Sequence, residues 1–382
     1  MKHVYDVVVV GLGIMGSATA WSLSNSNASV LCVESGPIIN YLGSSYGASR
    51  IFRQAYWEGD KYLPLLSISN TLWRALDASS EIPLVFNTGA LFVGPKVLGV
   101  VPKSKLTACM GNIDHAIYSP SQIMDMFPAF NVPESMEALY EKGAYVIAAD
   151  HSRLHMLNRA VEQGVEISFG TAVFGISRTM KGLLVKMTSG ESIRAGRVIV
   201  TAGYESSRLL VSELHGLLRP QCVPVYWFRP KLGRESIFSD SFPAFLYELE
   251  DGRILYGTPE VNSVEPGMKI GFHNAQQVDY DRSSQRCPVD DKYITQMSEC
   301  IESIFPDLNP YPYRVKKCLY TMTPDESFIV GESFALPGVF YVAACSGHGF
   351  KFATGLGKIL ANAATGMPFG SEVLPFDRSR FS

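Results

Sequence analysis

Tyr5-Asp6-Val7-Val8-Val9-Val10-Gly11-Leu12-Gly13-Ile14-Met15-Gly16 opens the chain with a pattern that settles its architecture. The β-branched run, uncharged after Asp6, is what a strand buried on both faces of a parallel sheet requires. It leads into G-x-G-x-x-G, then into small and apolar residues from Ser17 to Ser24 that suit a helix, and Ser29 to Val33 resumes as a strand ending at Glu34. Strand, glycines, helix, strand and acid in register make a dinucleotide-binding βαβ unit. Gly11 permits the tight turn, Gly13 lets backbone approach a pyrophosphate, and Gly16 lets the helix pack closely on the strand. The helix N-terminus, beginning with Ile14 and Met15, faces the phosphates. A carboxylate at Glu34 accepts hydrogen bonds from ribose hydroxyls and repels a 2′-phosphate, which favours FAD or NAD over NADP.

Beyond this unit, Leu63 to Leu76 has helical spacing, and Leu84 to Val93 reads as strands around Asn87-Thr88-Gly89. A strand near Ala144 to Ala149 precedes a helix from about Ser152 to Gln163. Short strands come next at Glu166 to Ser168, Ala172 to Arg178, Leu183 to Thr188 and Glu191 to Ile193, with Lys181-Gly182 and Ser189-Gly190 as turns. Arg197 to Gly203 is a buried return strand whose small end brings Ala202 and Gly203 toward the cofactor. Val223 to His273 is rich in aromatic and β-branched residues and reads as a largely antiparallel sheet. Val339 to Ala344, then Cys345-Ser346-Gly347-His348-Gly349 and a helix from about Phe352 to Ala364, form a second strand, glycine turn and helix. The expected class is therefore α/β: a discontinuous FAD-binding, Rossmann-like domain of the glutathione-reductase type (residues 1–80, 145–220 and 320–382). A mainly antiparallel substrate domain (81–144 and 221–319) is inserted into it.

Composition narrows the function. Of 382 residues 47% are hydrophobic and 18% charged, against roughly 25% charged in an average soluble domain, so the chain can bury a large core. The charge balance of 33 − 36 = −3 lacks the basic field of a nucleic-acid binder. Cys32, Cys109, Cys222, Cys287, Cys300, Cys318 and Cys345 are odd in number and scattered, which fits a reduced compartment and leaves no metal-ligand spacing. Only Lys2 and His3 precede the Val7 to Val10 run, and polar Ser17, Thr19 and Ser22 interrupt the apolar residues after it, so neither a secretory signal nor a membrane span is expected. Arg380-Phe381-Ser382 is not a peroxisomal address. A cytoplasmic location is expected.

Six motifs occur in a telling order: Gly11 to Gly16 with Glu34; Gly47-Ala48-Ser49-Arg50-Ile51-Phe52-Arg53-Gln54-Ala55-Tyr56; Lys269-Ile270-Gly271-Phe272-His273; Cys318-Leu319-Tyr320-Thr321; Pro324-Asp325-Glu326-Ser327-Phe328-Ile329; and Ser346-Gly347-His348-Gly349-Phe350-Lys351-Phe352. Over nearly the whole chain this resembles the monomeric sarcosine oxidase family of flavoprotein amine oxidases, which includes N-methyltryptophan oxidase and pipecolate oxidase. The resemblance implies covalent FAD, oxidation of a secondary amino acid to an imine, reoxidation by O2 to hydrogen peroxide, and a monomer.

The resemblance also implies roles. Arg50 sits against the flavin ring, and Arg53 with Lys351 holds the substrate carboxylate, a task that suits a planar guanidinium fork. Cys318 forms the thioether to the flavin, its thiolate favoured by neighbouring lysines. Lys269 activates oxygen; His273 and Tyr256 line the substrate cavity. Ser49, Val173, Gly347, His348, Gly349 and Phe350 complete the cofactor site, with His348 as a supporting residue and not a catalyst. Taken singly, these residue types have plainer readings: surface arginines and lysine, a buried small thiol, a structural histidine. Arg50 and Arg53, three apart, would share a face on a helix, and Lys269 and His273, four apart, would share one on a strand.

Departures point to a different amine. Ser45-Tyr46 and Ala48-Ser49 stand where bacterial sarcosine oxidases usually carry two histidines and Asp-Thr, Trp57 replaces a small residue, and the gap from Tyr256 to Lys269 is about two residues longer. Two rival readings are a deglycating fructosyl-amino-acid oxidase or flavin dehydrogenase, and a flavin-binding redox sensor without turnover.

Overall fold

β1 (Val4–Val10), α1 (Ile14–Leu23) and β2 (Val30–Val33) succeed one another as the glycine pattern requires. The computed structural model describes residues 3–40, 43–238, 242–261, 266–281 and 289–381; Lys2, Cys287 and Ser382 lie outside them. Val7 to Val10 are all buried because β1 has a parallel neighbour on each side, with Val10 opposite Val33 on one and Val200 on the other.

The chain continues through β3 (Ser49–Phe52), α2 (Leu63–Ala78), α3 (Ala149–Glu162) and β4 (Ser192–Val200). Then come β5 (Arg219–Phe228), β6 (Ile254–Thr258), β7 (Met268–Phe272), β8 (Arg314–Met322), β9 (Val339–Ala343) and α4 (Ala353–Ala364). Among the described residues the strands form sheets of eight, nine and three strands. In the first, β2, β1, β4 and β9 run parallel, and α1 packs against α3 and α4 on its face. The two short strands expected around residues 191–203 are one: β4 pairs antiparallel with Gly182–Met187 through its first half and parallel with β1 and β9 through its second. The nine-stranded sheet holds β5 to β8 and is antiparallel except where Ala244–Glu248 runs beside Ala90–Pro95. β3 pairs with Tyr145–Ala148 in the small sheet. The helices Val100–Met110, Pro120–Met126 and Asp291–Ile304 were not anticipated. Cys32, Cys109, Cys300, Cys318 and Cys345 are free thiols, whereas Cys222 is disulfide-bonded, which a reading of scattered thiols in a reduced compartment did not foresee. Among the described residues no helix is long and apolar enough to cross a membrane.

The first βα turn is the tightest point of this frame. Gly11 has φ +93°, and a Cβ on Gly16 would stand 1.8 Å from the Gly11 carbonyl oxygen and 2.7 Å from Thr201 Oγ1. The obstruction is backbone and cannot swing aside. Gly16→Ala is therefore expected to destabilise the protein by about 3 kcal/mol, seen as a lower denaturant midpoint at unchanged slope; an unchanged midpoint would contradict this packing.

Candidate active site

The carboxyl ends of β1, β2 and β4, the inner faces of β6, β7 and β8 and the turn after β9 surround one continuous cavity of about 610 Å3, as ligand sites in open α/β sheets do. Gly11, Gly13, Ile14, Met15, Glu34, Val173, Ala202 and Gly203 line one part; Ser49, Arg50, Arg53, Tyr256, Lys269, His273, Cys318 and Gly347 to Lys351 line the rest. Gly16, expected among the cofactor residues, is not on the wall; its place is the helix–strand contact.

At the first part, α1 starts after Gly13 with no side chain capping from that position and no acid in its first turn. The Ile14 N–H donates to Ser45 Oγ at 2.8 Å. Glu34 accepts from Leu12 N–H at 2.7 Å and Gly36 N–H at 2.9 Å, so its carboxylate is fixed at the end of β2. Arg153 of α3 pins the turn from behind, donating to the carbonyls of Leu12 (2.8 Å) and Ile38 (2.6 Å). A helix N-terminus without competing acid, a held carboxylate and a cavity running on to a thiol fit FAD.

In the middle lie Arg50, Lys269 and Cys318. β3 is a strand and Arg53 lies past its end, so the two arginines share no helical face. Arg50 donates to the carbonyls of Gly47 (2.6 Å), Ser49 (2.8 Å), Tyr46 (2.8 Å) and Ser44 (2.9 Å), tying that loop around one guanidinium 5.1 Å from the Phe350 ring. Lys269 donates to the Ser49 carbonyl, and the Ser49 hydroxyl lies 2.7 Å from that of Thr258. Burial, then the Arg50 charge, pushes the Lys269 pKa well below the usual lysine range. Burial raises the Cys318 thiol, and the charges that oppose this are Arg50 and Lys269. They are not the adjacent Lys316 and Lys317 on which the sequence reading relied: Lys316 is hydrogen-bonded to the Tyr46 hydroxyl, 4.3 Å from the Tyr46 ring and 5.4 Å from that of Trp227. Tyr256, pushed up to about 12 chiefly by burial, shares a hydrogen bond with Tyr320 across the same wall.

The far end is a cluster of charges. Arg53 places one nitrogen 2.7 and 2.8 Å from the two carboxylate oxygens of Glu58. Buried Glu141 steadies this segment by accepting the backbone N–H groups of Gln54 and Ala55, each at 2.9 Å. The Tyr56 ring lies 4.3 Å from the Arg53 guanidinium and 4.9 Å from the Lys351 ammonium, so both cations stand on one phenol. Lys351 donates to the His348 carbonyl at 2.8 Å, and its own carbonyl accepts from Trp73 of α2 at 2.7 Å. Burial, then Arg53, pushes Lys351 down to about 7, with Glu58 resisting. Burial alone would raise Glu58, but Arg53 and the other cations outweigh it and hold the carboxyl at about 2. Burial keeps His273 neutral, at about 4. Arg53 and Glu58 cancel, which leaves Lys351 as the uncompensated charge of the cluster: a site for one anion. Trp57 is not on the cavity wall; it stands behind His273, edge to ring at 5.7 Å.

A family model described as FAD dependent oxidoreductase matches residues 6–363. The chain belongs to that family. Relatives include a monomeric sarcosine oxidase of Streptomyces avermitilis, 32% identical over 366 residues that cover 95% of this chain and 94% of that protein. An N-methyl-L-tryptophan oxidase of Yersinia pestis is 30% identical over 99% of both. Among solved structures, NikD, an unusual amino acid oxidase essential for nikkomycin biosynthesis, superposes with a TM-score of 0.84 at 22% identity over 98% of each chain. Glycine oxidase of Geobacillus kaustophilus gives 0.81 at 17% over 99% of each. At these identities the two structures establish the fold.

Within this FAD dependent oxidoreductase, sequence reasoning passed over Glu58 and Arg153, and gave no site role to Tyr320 and Ser45, which it had quoted. Tyr320 carried a signal: it stands two positions from Cys318 in the same motif, and the whole run from Lys316 to Thr321 lines the cavity. Glu58 carried one too, as an acid five positions beyond Arg53. Ser45 and Arg153 act through contacts that no local pattern announces.

Proposed function

We propose that this enzyme oxidises a secondary amino acid, such as sarcosine, another N-methyl amino acid or a cyclic one such as pipecolate, to the imine. The two electrons and two protons removed from the amine reduce O2 to hydrogen peroxide. The observation that carries this reading is that Arg53 and Lys351 stand on one phenol ring in the same cavity that holds Lys269 and Cys318. FAD, when bound, supplies the two-electron acceptor for the C–H bond beside the nitrogen and returns the electrons to O2. The amides of α1's first turn would hold its pyrophosphate, Glu34 its ribose, and Cys318 a thioether. An ammonium has three N–H bonds; Lys351 spends two on Tyr56 and His348, and the third serves the substrate carboxylate. Arg53, whose second terminal nitrogen donates to the Ala55 carbonyl at 3.4 Å, offers that carboxylate its remaining N–H bonds. The amine must be neutral, since only its lone pair can stabilise the forming iminium, and the fixed charge of Arg50 favours that form. The relatives' names support a monomer, and we place the enzyme in the cytoplasm.

Peroxide release across a panel of amino acids tests the activity: secondary amino acids should turn over and their methyl esters should not, and an active ester would contradict a carboxylate-holding site. Acid precipitation tests the covalent bond. Wild-type protein should keep its yellow colour in the pellet and Cys318→Ser should release it; colour wholly in the wild-type supernatant would refute the thioether.

A further inference from the structure

The Lys351 ammonium ends a chain of hydrogen bonds that runs on past Tyr56. It donates to the Tyr56 hydroxyl at 3.3 Å, that hydroxyl lies 2.7 Å from His348 Nδ1, and His348 Nε2 lies 3.0 Å from the Glu326 carbonyl. The directions are forced. A carbonyl only accepts, so Nε2 carries the imidazole proton; Nδ1 is then bare, so Tyr56 donates to it and turns a lone pair toward Lys351. Burial keeps His348 neutral, with its pKa pushed down to about 3. Edge contacts from Tyr62 and Phe352 to both rings hold them in place. Glu326 itself is held at φ +56°, a conformation that persists where the surroundings impose it. A carbonyl takes no proton, so this chain orients the ammonium and conducts nothing.

We propose that Tyr56 and His348 are positioning residues for Lys351, holding its ammonium charged and aimed into the cavity and so setting the pH range over which a carboxylate binds. The inference rests on Lys351 being the carboxylate-binding cation. The groups that face Lys351 are Arg53 and Arg50, which oppose its charge, Glu58 and Cys345, which favour it, and the imidazole of His273. With Glu58 at about 2, His273 at about 4 and Cys345 at about 12, none of these changes charge near neutral pH. A break there that Lys351→Met abolishes belongs to Lys351.

The test is calorimetric titration of the FAD-loaded protein with propionate, a carboxylate without an amine, across pH. Wild-type affinity should be level from about pH 6 to 7, where propionate is fully ionised, and fall tenfold per unit above that. Tyr56→Phe keeps the ring under both cations and deletes the lone pair that steadies the charged form. Its break should move down by about one pH unit, the loss of one hydrogen bond to a charged group. His348→Leu should move it likewise; His348→Asn, whose Oδ1 can replace Nδ1 as acceptor, should restore it. The double variant Tyr56→Phe/His348→Leu should shift no further than either single change. A break left in place by Tyr56→Phe, or shifts that add, overturns the proposal. Lys351→Met keeps the two claims apart: if it leaves the pH dependence intact, the carboxylate reading fails. A break lost in Lys351→Met yet unmoved in Tyr56→Phe refutes positioning alone. Should His348→Leu fail to load FAD, Tyr56→Phe and His348→Asn decide.

Discussion

Replacing Lys351 with methionine is expected to lower kcat/KM by about 100- to 1,000-fold, the cost of leaving a desolvated carboxylate without its buried partner. The size comes from the charge count. Glu58 neutralises Arg53 at 2.7 Å, and His273 and His348 are neutral, so without Lys351 the hydrogen bonds from Arg53 remain but the carboxylate's charge is unbalanced. The sign of the pH dependence is fixed as well. The Lys351 pKa is depressed to about 7, so the charged form is present below that pH and lost above it. Wild-type KM should therefore rise with pH beyond neutrality, a rise the variant should not show. The substrate amine titrates in the opposite sense, since its neutral form grows with pH, and the wild-type kcat/KM profile should be bell-shaped. Steady-state peroxide assays across pH measure all of this; a Lys351→Met enzyme with wild-type KM throughout would contradict the anion site.

The second large effect belongs to the oxygen half of the reaction. Lys269→Met is expected to slow the reaction of the reduced enzyme with O2 by about 100- to 1,000-fold, the scale of removing one preorganised charge-stabilising group. Anaerobic reduction by substrate should change little, because Lys269 touches the Ser49 carbonyl and not the Arg53–Lys351 cluster. Burial and Arg50 make its ammonium costly at rest. Negative charge developing on O2 is what such a cation then stabilises. Stopped-flow mixing of substrate-reduced enzyme with O2 isolates the step, and an unchanged oxygen rate would end this assignment.

Legibility tracked the range of the contacts. The βαβ unit could be read because its glycines, helix and acid lie within one short segment whose geometry is local. Lys351, Arg53, Cys318 and Lys269 were found through several motifs in order, and the fold brings them to one cavity. What escaped was tertiary: Tyr56 meets His348 across 292 positions, and Glu141 reaches Ala55 across 86. The adjacency of Lys316 and Lys317 to Cys318 misled, because charges that matter to a buried thiol arrive from other strands, here Arg50 and Lys269. The helix Asp291–Ile304 was legible in principle. Asp290 caps it, accepting from Lys292 N–H at 2.9 Å, and Met297, Ile301 and Ile304 recur at helical spacing on its buried face. Val100–Met110, opening after Gly99 without a side-chain cap, carried far less signal.

One measurement bears most directly on the account: anaerobic mixing of the purified, FAD-loaded protein with sarcosine and with pipecolate, read at the visible flavin band. At least one should bleach the band, with colour returning and peroxide appearing when O2 is admitted. A band that neither sarcosine, pipecolate nor any other secondary amino acid bleaches would contradict it.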